Sequence, residues 1–138
     1  MDLSKLIVPT TEAVFEYPGM DGFKVTLCFM TRDELLKIRK KATTKVINKK
    51  TRQMEDDVDS DLFQELYIKS IIKYWKGLKY KYVGKFLPLD MSGLDAEDEL
   101  EFTPDNAITL MKNSTTFDAW VTDQLDDLEN FTNQPQKD

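Results

Sequence analysis

The sequence predicts an α+β fold, mainly α, in which an N-terminal β-hairpin packs on about four helices within a single small domain. Apolar and polar residues alternate in two stretches near the N-terminus, 13–17 and 23–30, as is typical of half-buried strands. Further along, apolar residues recur every three or four positions, as they do on one face of a helix. The 138 residues suit one domain, so we expect a globular unit over 1–131 and a disordered tail over 132–138.

The first predicted element is the β-hairpin. Ala13, Phe15 and Tyr17 fall on one face of the first strand, and the apolar residues of 23–30 fall on one face of the second. The Pro18–Gly22 segment between them suits a tight connection, because Pro followed by Gly fits the two central positions of a type II turn. A two-stranded ribbon is marginal on its own, so its apolar face is expected to pack against helices.

A capping box begins the first predicted helix. In Thr31–Glu34 the Thr hydroxyl and the Glu carboxylate can each satisfy a backbone amide that a helix start leaves without a partner. One apolar stripe, surrounded by lysines and arginines, then continues to about Asn48. Residues 49–59 switch from basic to acidic without apolar periodicity, and we interpret them as a mobile loop.

The second predicted helix carries the widest apolar face in the chain. It starts at Asp59 or Ser60, includes Trp75 and ends at Gly77, a residue type that commonly ends helices. An extended connector over 79–100 follows. Its first residues alternate, which favours a short edge strand or hairpin arm, and the rest is interpreted as an acidic loop.

Two further helices are predicted near the C-terminus. Thr103 as N-cap and Pro104 at the first helical position begin a short helix that ends near Lys112. Ser114 or Thr115 begins the last helix, whose apolar side is rich in aromatic residues. Both helix starts are predicted from hydroxyl side chains next to the first turn, so the predictions depend only on neighbouring residues.

The residue types present exclude most enzyme mechanisms. The chain has no histidine and one cysteine, which excludes Ser-His and Cys-His nucleophiles, a histidine acid or base, and a histidine-containing zinc site. We interpret that cysteine, Cys28, as a packing residue. The acidic run 55–61 has no register with the Gly and Glu positions of an EF-hand, and 95–101 has no nucleophile or base to pair with. We therefore expect no enzymatic activity, catalytic residue, metal or cofactor.

Charge is divided unevenly along the chain. Residues 1–94 carry 17 Lys and Arg against 13 Asp and Glu, a balance of +4, whereas residues 95–138 carry 2 against 12, a balance of −10. Opposite charges on one small protein favour contact between its halves or between copies. Head-to-tail self-association is therefore a prediction.

A basic run crosses the first predicted helix and the loop after it. Its eight members are Lys37, Arg39, Lys40, Lys41, Lys45, Lys49, Lys50 and Arg52. A phosphate-binding surface is one interpretation, and a solvated helix face or a dock for the acidic half is the other. We favour the second, because lysines dominate and no aromatic platform accompanies them, so we do not expect nucleic acid as a partner.

Six residues are candidates for partner binding: Trp75, Phe102, Phe117, Trp120, Lys40 and Lys41. Aromatic residues dominate interface hot spots, although at helical spacing they are more often core residues, and both roles can coexist in a small chain. No apolar run reaches the roughly 20 residues that span a bilayer, and the N-terminus lacks the regions of a signal peptide. We therefore expect a cytoplasmic protein with no membrane partner.

The second half of the chain contains three features in order: Trp75-x-Gly77-Leu78, Phe102-Thr103-Pro104-x-Asn106-Ala107 and a closing helix from Phe117 to Phe131. In these features the chain resembles the small tail assembly chaperones of long-tailed, siphovirus-like bacteriophages. The resemblance implies a non-enzymatic protein that coats the tape measure protein and helps to recruit tail tube subunits until polymerisation displaces it. It also implies a host-cytoplasmic protein that is absent from the mature virion. The alternatives are a small phage structural connector and a host-directed acidic inhibitor or adaptor.

Overall fold

The computed structural model describes residues 1–132, which form two β-sheets and six α-helices. The strands are β1 (Thr10–Glu16), β2 (Lys24–Met30), β3 (Thr43–Ile47), β4 (Met54–Val58) and β5 (Ile72–Lys76). The helices are α1 (Arg32–Lys41), α2 (Ser60–Ile71), α3 (Tyr80–Phe86), α4 (Pro104–Asn113), α5 (Thr115–Asp126) and α6 (Glu129–Thr132). With 44% helix and 23% strand, the chain is α+β, so the prediction of a mainly α fold with about four helices is wrong.

The predicted N-terminal hairpin is present as β1 and β2, but it belongs to a three-stranded antiparallel sheet of order β1-β2-β5. Its connection contains two positive φ angles, 79° at Gly19 and 81° at Gly22, which glycine adopts without steric cost. The Met20 amide donates to the Tyr17 carbonyl oxygen at 3.2 Å, as the predicted turn requires. The register places Phe15 opposite Val25, whose side chains lie in the core.

Trp75 lies in a strand, which corrects the prediction of one helix running to Gly77. Helix α2 ends at Ile71, and β5 follows at once, pairing with β2. The pairing shifts register between Thr26 and Leu27, so the two buried residues of β5, Ile72 and Trp75, are three positions apart instead of two. In the sequence alone, a spacing of three positions is typical of one face of a helix, which explains why a helix was predicted.

A second hairpin, β3–β4, replaces the predicted end of the first helix and the predicted loop. Helix α1 ends at Lys41. The run 43–47, in which four of five residues are β-branched, pairs with 54–58 instead of continuing the helix to Asn48. The basic arm lies beside the acidic arm, with Lys45 opposite Asp56. The charge switch that suggested a loop is therefore the cross-strand pattern of a hairpin.

The predicted edge strand after Gly77 is helix α3. The connector behind it folds back on the core, because the Leu100 amide donates to the Leu78 carbonyl at 2.7 Å and the Tyr80 amide donates to the Asp98 carbonyl at 2.8 Å. These bonds cannot be read from local sequence, since they join residues about 20 positions apart. The second bond gives the amide of Tyr80, the first residue of α3, a partner that the helix itself cannot supply.

The predicted starts of the C-terminal helices are confirmed. Thr103 Oγ1 accepts from the Asn106 amide at 3.0 Å before α4, and Ser114 Oγ accepts from the Phe117 amide at 3.1 Å before α5. Helix α6 then packs on β1. The predicted tail, apart from its first residue at the end of α6, lies outside the described residues.

The core lies between the inner face of the three-stranded sheet and the helices α2 to α6. Phe117 is at its centre and has no accessible surface. Rings that surround it belong to Phe23, Phe86 and Trp75. None of the helices within 1–132 has the length and apolar character that crossing a membrane requires.

Candidate interaction surfaces

Two of the six predicted partner-binding residues are core residues. Trp75 and Phe117 are 1% and 0% exposed, and the Trp75 Nε1–H donates to the Leu100 carbonyl oxygen at 3.1 Å. A buried indole needs such a partner for its N–H, and this bond also fixes the acidic connector to β5. Neither side chain presents surface to a partner in this fold.

Phe102 and Trp120 are half-buried at the margin of the core. The Phe102 ring covers the edge of β5, where it contacts Trp75 with ring centres 5.1 Å apart. Trp120 lies against Tyr17, with ring centres 4.7 Å apart. Each ring therefore buries one part of its surface and leaves the other part accessible, which is the geometry of an aromatic anchor.

Lys40 and Lys41 are exposed neighbours on α1, but they line different clefts. Lys40 lines a cleft between α1 and the β3–β4 hairpin, together with Leu36, Arg39 and Lys45. Lys41 lines a cleft on the other side of α1, where the helix crosses the outer face of the sheet. Adjacent helical residues point about 100° apart, so one basic run serves two surfaces.

The first of these, which we call the hairpin cleft, is lined by Leu36, Arg39, Lys40, Thr43, Thr44, Lys45 and Asp56 and has a volume of about 370 Å³. Leu36 is 54% exposed. Leu36 was not among the residues predicted from the sequence to bind a partner. Its position gave a signal, because it directly follows Leu35 and therefore faces away from the apolar stripe. Exposed apolar residues at such a position are candidates for contact with a partner.

The second cleft contains Cys28. Its polar lining includes Lys37, Lys41 and Lys73 from two elements, with Glu12 and Glu34 beside them. Burial raises the pKa of the Cys28 thiol, Lys73 acts in the opposite direction, and Glu12 raises the pKa further. The side chain is buried and packs behind α1, as expected of a packing residue rather than a reactive thiolate.

The acidic connector is partly neutralised by α3. The Glu97 carboxylate lies 2.8 Å from Lys79 Nζ and 2.7 Å from Lys81 Nζ. Hydrogen bonds from these two ammonium groups lower the pKa of Glu97 from 4.5 to about 2. The connector is thereby held to the start of α3.

We expect Glu97→Gln to lower the melting temperature slightly at pH 7, because two exposed ion pairs are lost. A carboxylate with a lowered folded-state pKa stabilises the fold above its unfolded value of 4.5, and this contribution is lost as the pH falls towards about 2. The difference between variant and parent should therefore shrink across that window, as thermal melts at stepped pH would measure. Glu101→Gln is the control, since the Glu101 carboxylate forms no ion pair within residues 1–132. A difference that is unchanged down to pH 2 would contradict the assignment.

The outer surface of α5 and α6 is acidic. Its exposed carboxylates belong to Asp118, Asp123, Asp126, Asp127 and Glu129, and residues 113–132 contain no Lys or Arg. Leu128, 51% exposed, lies among them in sequence. Within residues 1–132, no ion pair joins this surface to the basic residues of α1 or the hairpin. Within that range there is also no group of three or more acidic or cysteine side chains arranged to hold a metal ion.

Comparison with known proteins gives one family. Residues 31–138, which are more than three quarters of the chain, match the family described as YdaY prophage protein. The chain belongs to the YdaY prophage protein family. The YdaY match begins at Thr31, the N-cap of α1, and therefore includes the hairpin cleft and the acidic surface of α5 and α6. No curated protein and no solved structure matches the chain.

Membership of the YdaY family makes this a phage-derived protein. The matched range contains all six predicted partner-binding residues. The matched range does not include the β1–β2 hairpin, which precedes it in the chain.

Proposed function

We propose that this chain is a phage tail assembly chaperone, which binds the tape measure protein and helps to recruit tail tube subunits during tail assembly. The prophage family and the resemblance of residues 75–131 to such chaperones support the proposal. It is a non-enzymatic role in the host cytoplasm that needs no cofactor, and the protein is absent from the mature virion.

The observation that carries the proposal is apolar surface that the fold leaves uncovered. Most of the exposed large apolar side chains fall in three places: the N-terminal segment 3–8, the outer sheet face at Val14 and Tyr74, and the α1–hairpin region. A chaperone needs such surface to cover the apolar stripes of a helical client, and the acidic body keeps the complex in solution. Dispersed contacts of this kind give modest affinity per copy, which allows displacement by tube subunits.

An affinity pull-down of the tagged chain during phage production tests the proposal. Mass spectrometry should identify a very long helical protein and the tube subunit in the pull-down, and should find this chain missing from purified virions. Incorporation into virions would favour a structural connector instead. Recovery of a host nucleic-acid enzyme alone would favour an inhibitor, for which the exposed carboxylates of α5 and α6 would imitate phosphates.

Trp120→Ala tests the anchor within this proposal. We expect capture of the tape measure protein to fall while the fold is retained, because the ring is only half-buried. Pull-down yield and the melting temperature should be measured together. A large loss of melting temperature would show that the ring acts as a core residue instead, and unchanged capture would exclude it as an anchor.

Self-association through the opposite charges is a secondary proposal. The acidic surface of α5 and α6 on one copy would contact the basic α1 on the next. Salt should dissociate such oligomers, since exposed charges are screened over about 10 Å at 0.1 M salt. Sedimentation at low and high salt measures this, and assembly that salt leaves unchanged would contradict it.

A further inference from the structure

One large apolar residue, Leu36, lines the hairpin cleft, and two more lie beside the cleft on the hairpin. On α1, Leu36 lies on the same face as Arg39 and Lys40, at spacings of three and four residues. On the hairpin, side chains alternate between faces, so Ile47 and its cross-strand partner Met54 lie on the same face as the cleft residue Lys45. Ile47 is 65% exposed and Met54 58% exposed.

The base of the cleft is held by hydrogen bonds to α1. The Thr43 hydroxyl donates to the Arg39 carbonyl at 2.7 Å, and the Asp59 amide donates to the Ala42 carbonyl at 2.8 Å. Both ends of the hairpin are thereby fixed to the end of one helix. The base of the cleft is therefore ordered before a partner binds, which lowers the entropy cost of binding.

The positive charge around the hairpin cleft favours an acidic partner. Residues 32–58 carry nine Lys and Arg against five Asp and Glu, a balance of +4 within a chain of net charge −6. Lys45 is paired with Asp56 across the hairpin, whereas Arg39 and Lys40 form no ion pair within residues 1–132. An acidic partner is steered to this region and meets two available cations there.

A protein segment fits these observations better than a nucleic acid does. Residues 32–58 contain no aromatic side chain on which a base can stack. The exposed Leu36, Ile47 and Met54 need apolar surface opposite them, which a phosphate backbone does not supply.

We propose that the hairpin cleft binds an acidic amphipathic helix, with the apolar stripe of that helix on Leu36, Ile47 and Met54 and its flanking carboxylates near Arg39 and Lys40. This mode of recognition places apolar anchors at spacings of three and four residues into a groove. The inference deepens the proposed function and rests on it in taking the partner to be a helical protein.

Two model helices of about 18 residues test the inference by fluorescence anisotropy with the full chain. Both carry one leucine stripe; the first has Glu along both sides of the stripe, and the second has Lys at the same positions. We expect the Glu helix to bind more tightly. Leu36→Ser and Lys40→Glu should each weaken its binding about tenfold.

Matched controls make the same chemical changes elsewhere. Leu94→Ser also alters an exposed leucine, and Lys85→Glu makes the same change of charge on α3. Both should leave the affinity within about twofold of the parent, and circular dichroism should show all four variants folded. Equal binding of the two helices, or equal losses in cleft and control variants, would overturn the inference, as would tighter binding of an oligothymidine probe.

This outcome is separate from that of the pull-down. Tape measure capture that survives Leu36→Ser and Lys40→Glu, with no preference for the Glu helix, would overturn the inference alone. Absence of a long helical protein from the pull-down would overturn the proposed function, whatever the model helices show.

Discussion

Replacing Phe117 by alanine is expected to lower the free energy of unfolding by about 3–5 kcal/mol, the range for removing a buried aromatic ring. The ring has no accessible surface. Its centre lies 5.3 Å from that of Phe86 and 6.1 Å from that of Trp120, and both contacts are lost on truncation. Because Phe86 lies on α3 and Trp120 on α5, the two rings are held by different helices and cannot both move inward to fill the space.

Urea denaturation followed by circular dichroism measures this effect, with the slope of the transition as a check that the unfolded state is unchanged. Phe63→Ala is the matched control. Phe63 is half-buried on α2 and stacks on Tyr67, so the same truncation there should cost clearly less. Equal losses for the two variants would mean that Phe117 is not at the centre of the core.

The parts of the fold that were predicted from the sequence are those set by neighbouring residues. The starts of α4 and α5 each depend on a hydroxyl that accepts from an amide three residues later. The turn between β1 and β2 depends on glycines within five residues of each other. Such chemistry is present in the local sequence whatever the rest of the chain does.

The wrong predictions concern elements that distant pairing decides. Strand β5 exists because β2 offers it an edge, and the register shift there gives Ile72 and Trp75 a helix-like spacing. Helix α3 starts where the connector supplies carbonyl groups from about 20 residues away. Strand β2 and the connector are both distant in sequence from the elements they pair with. The periodicity of nearby residues therefore favoured the wrong element in both places.

The candidate surfaces were predictable in residue type but not in location. Sequence identified Lys40 and Lys41 as one basic run, whereas the helix directs them into two clefts. Ile47 and Met54 gave no signal because their exposure depends on β3–β4 standing apart from the core. Their pairing across that hairpin places them beside the cleft.

Gly77→Ala is expected to have an effect of similar size to Phe117→Ala, through the backbone instead of the core. Gly77 has a φ of +76°, which costs an alanine about 1–2 kcal/mol. A Cβ at this position would also overlap the carbonyl group of Gly22 and lie 3.2 Å from the Phe23 amide nitrogen. Because both neighbours are backbone atoms, the collision cannot be relieved by a rotamer change, and we expect a total loss of more than about 3 kcal/mol.

Gly93→Ala separates the two contributions. Its φ is +77°, nearly the same as that of Gly77, but no atom lies within 4 Å of an added Cβ. Only the cost of the positive φ, about 1–2 kcal/mol, should appear there, and the difference between the two variants in urea denaturation measures the collision with the β1–β2 turn. Equal losses would show that the turn does not approach Gly77 closely. A large difference would mean that the glycine of Trp75-x-Gly77-Leu78, one of the motifs behind the resemblance to tail assembly chaperones, is required for packing the β1–β2 turn against the end of β5.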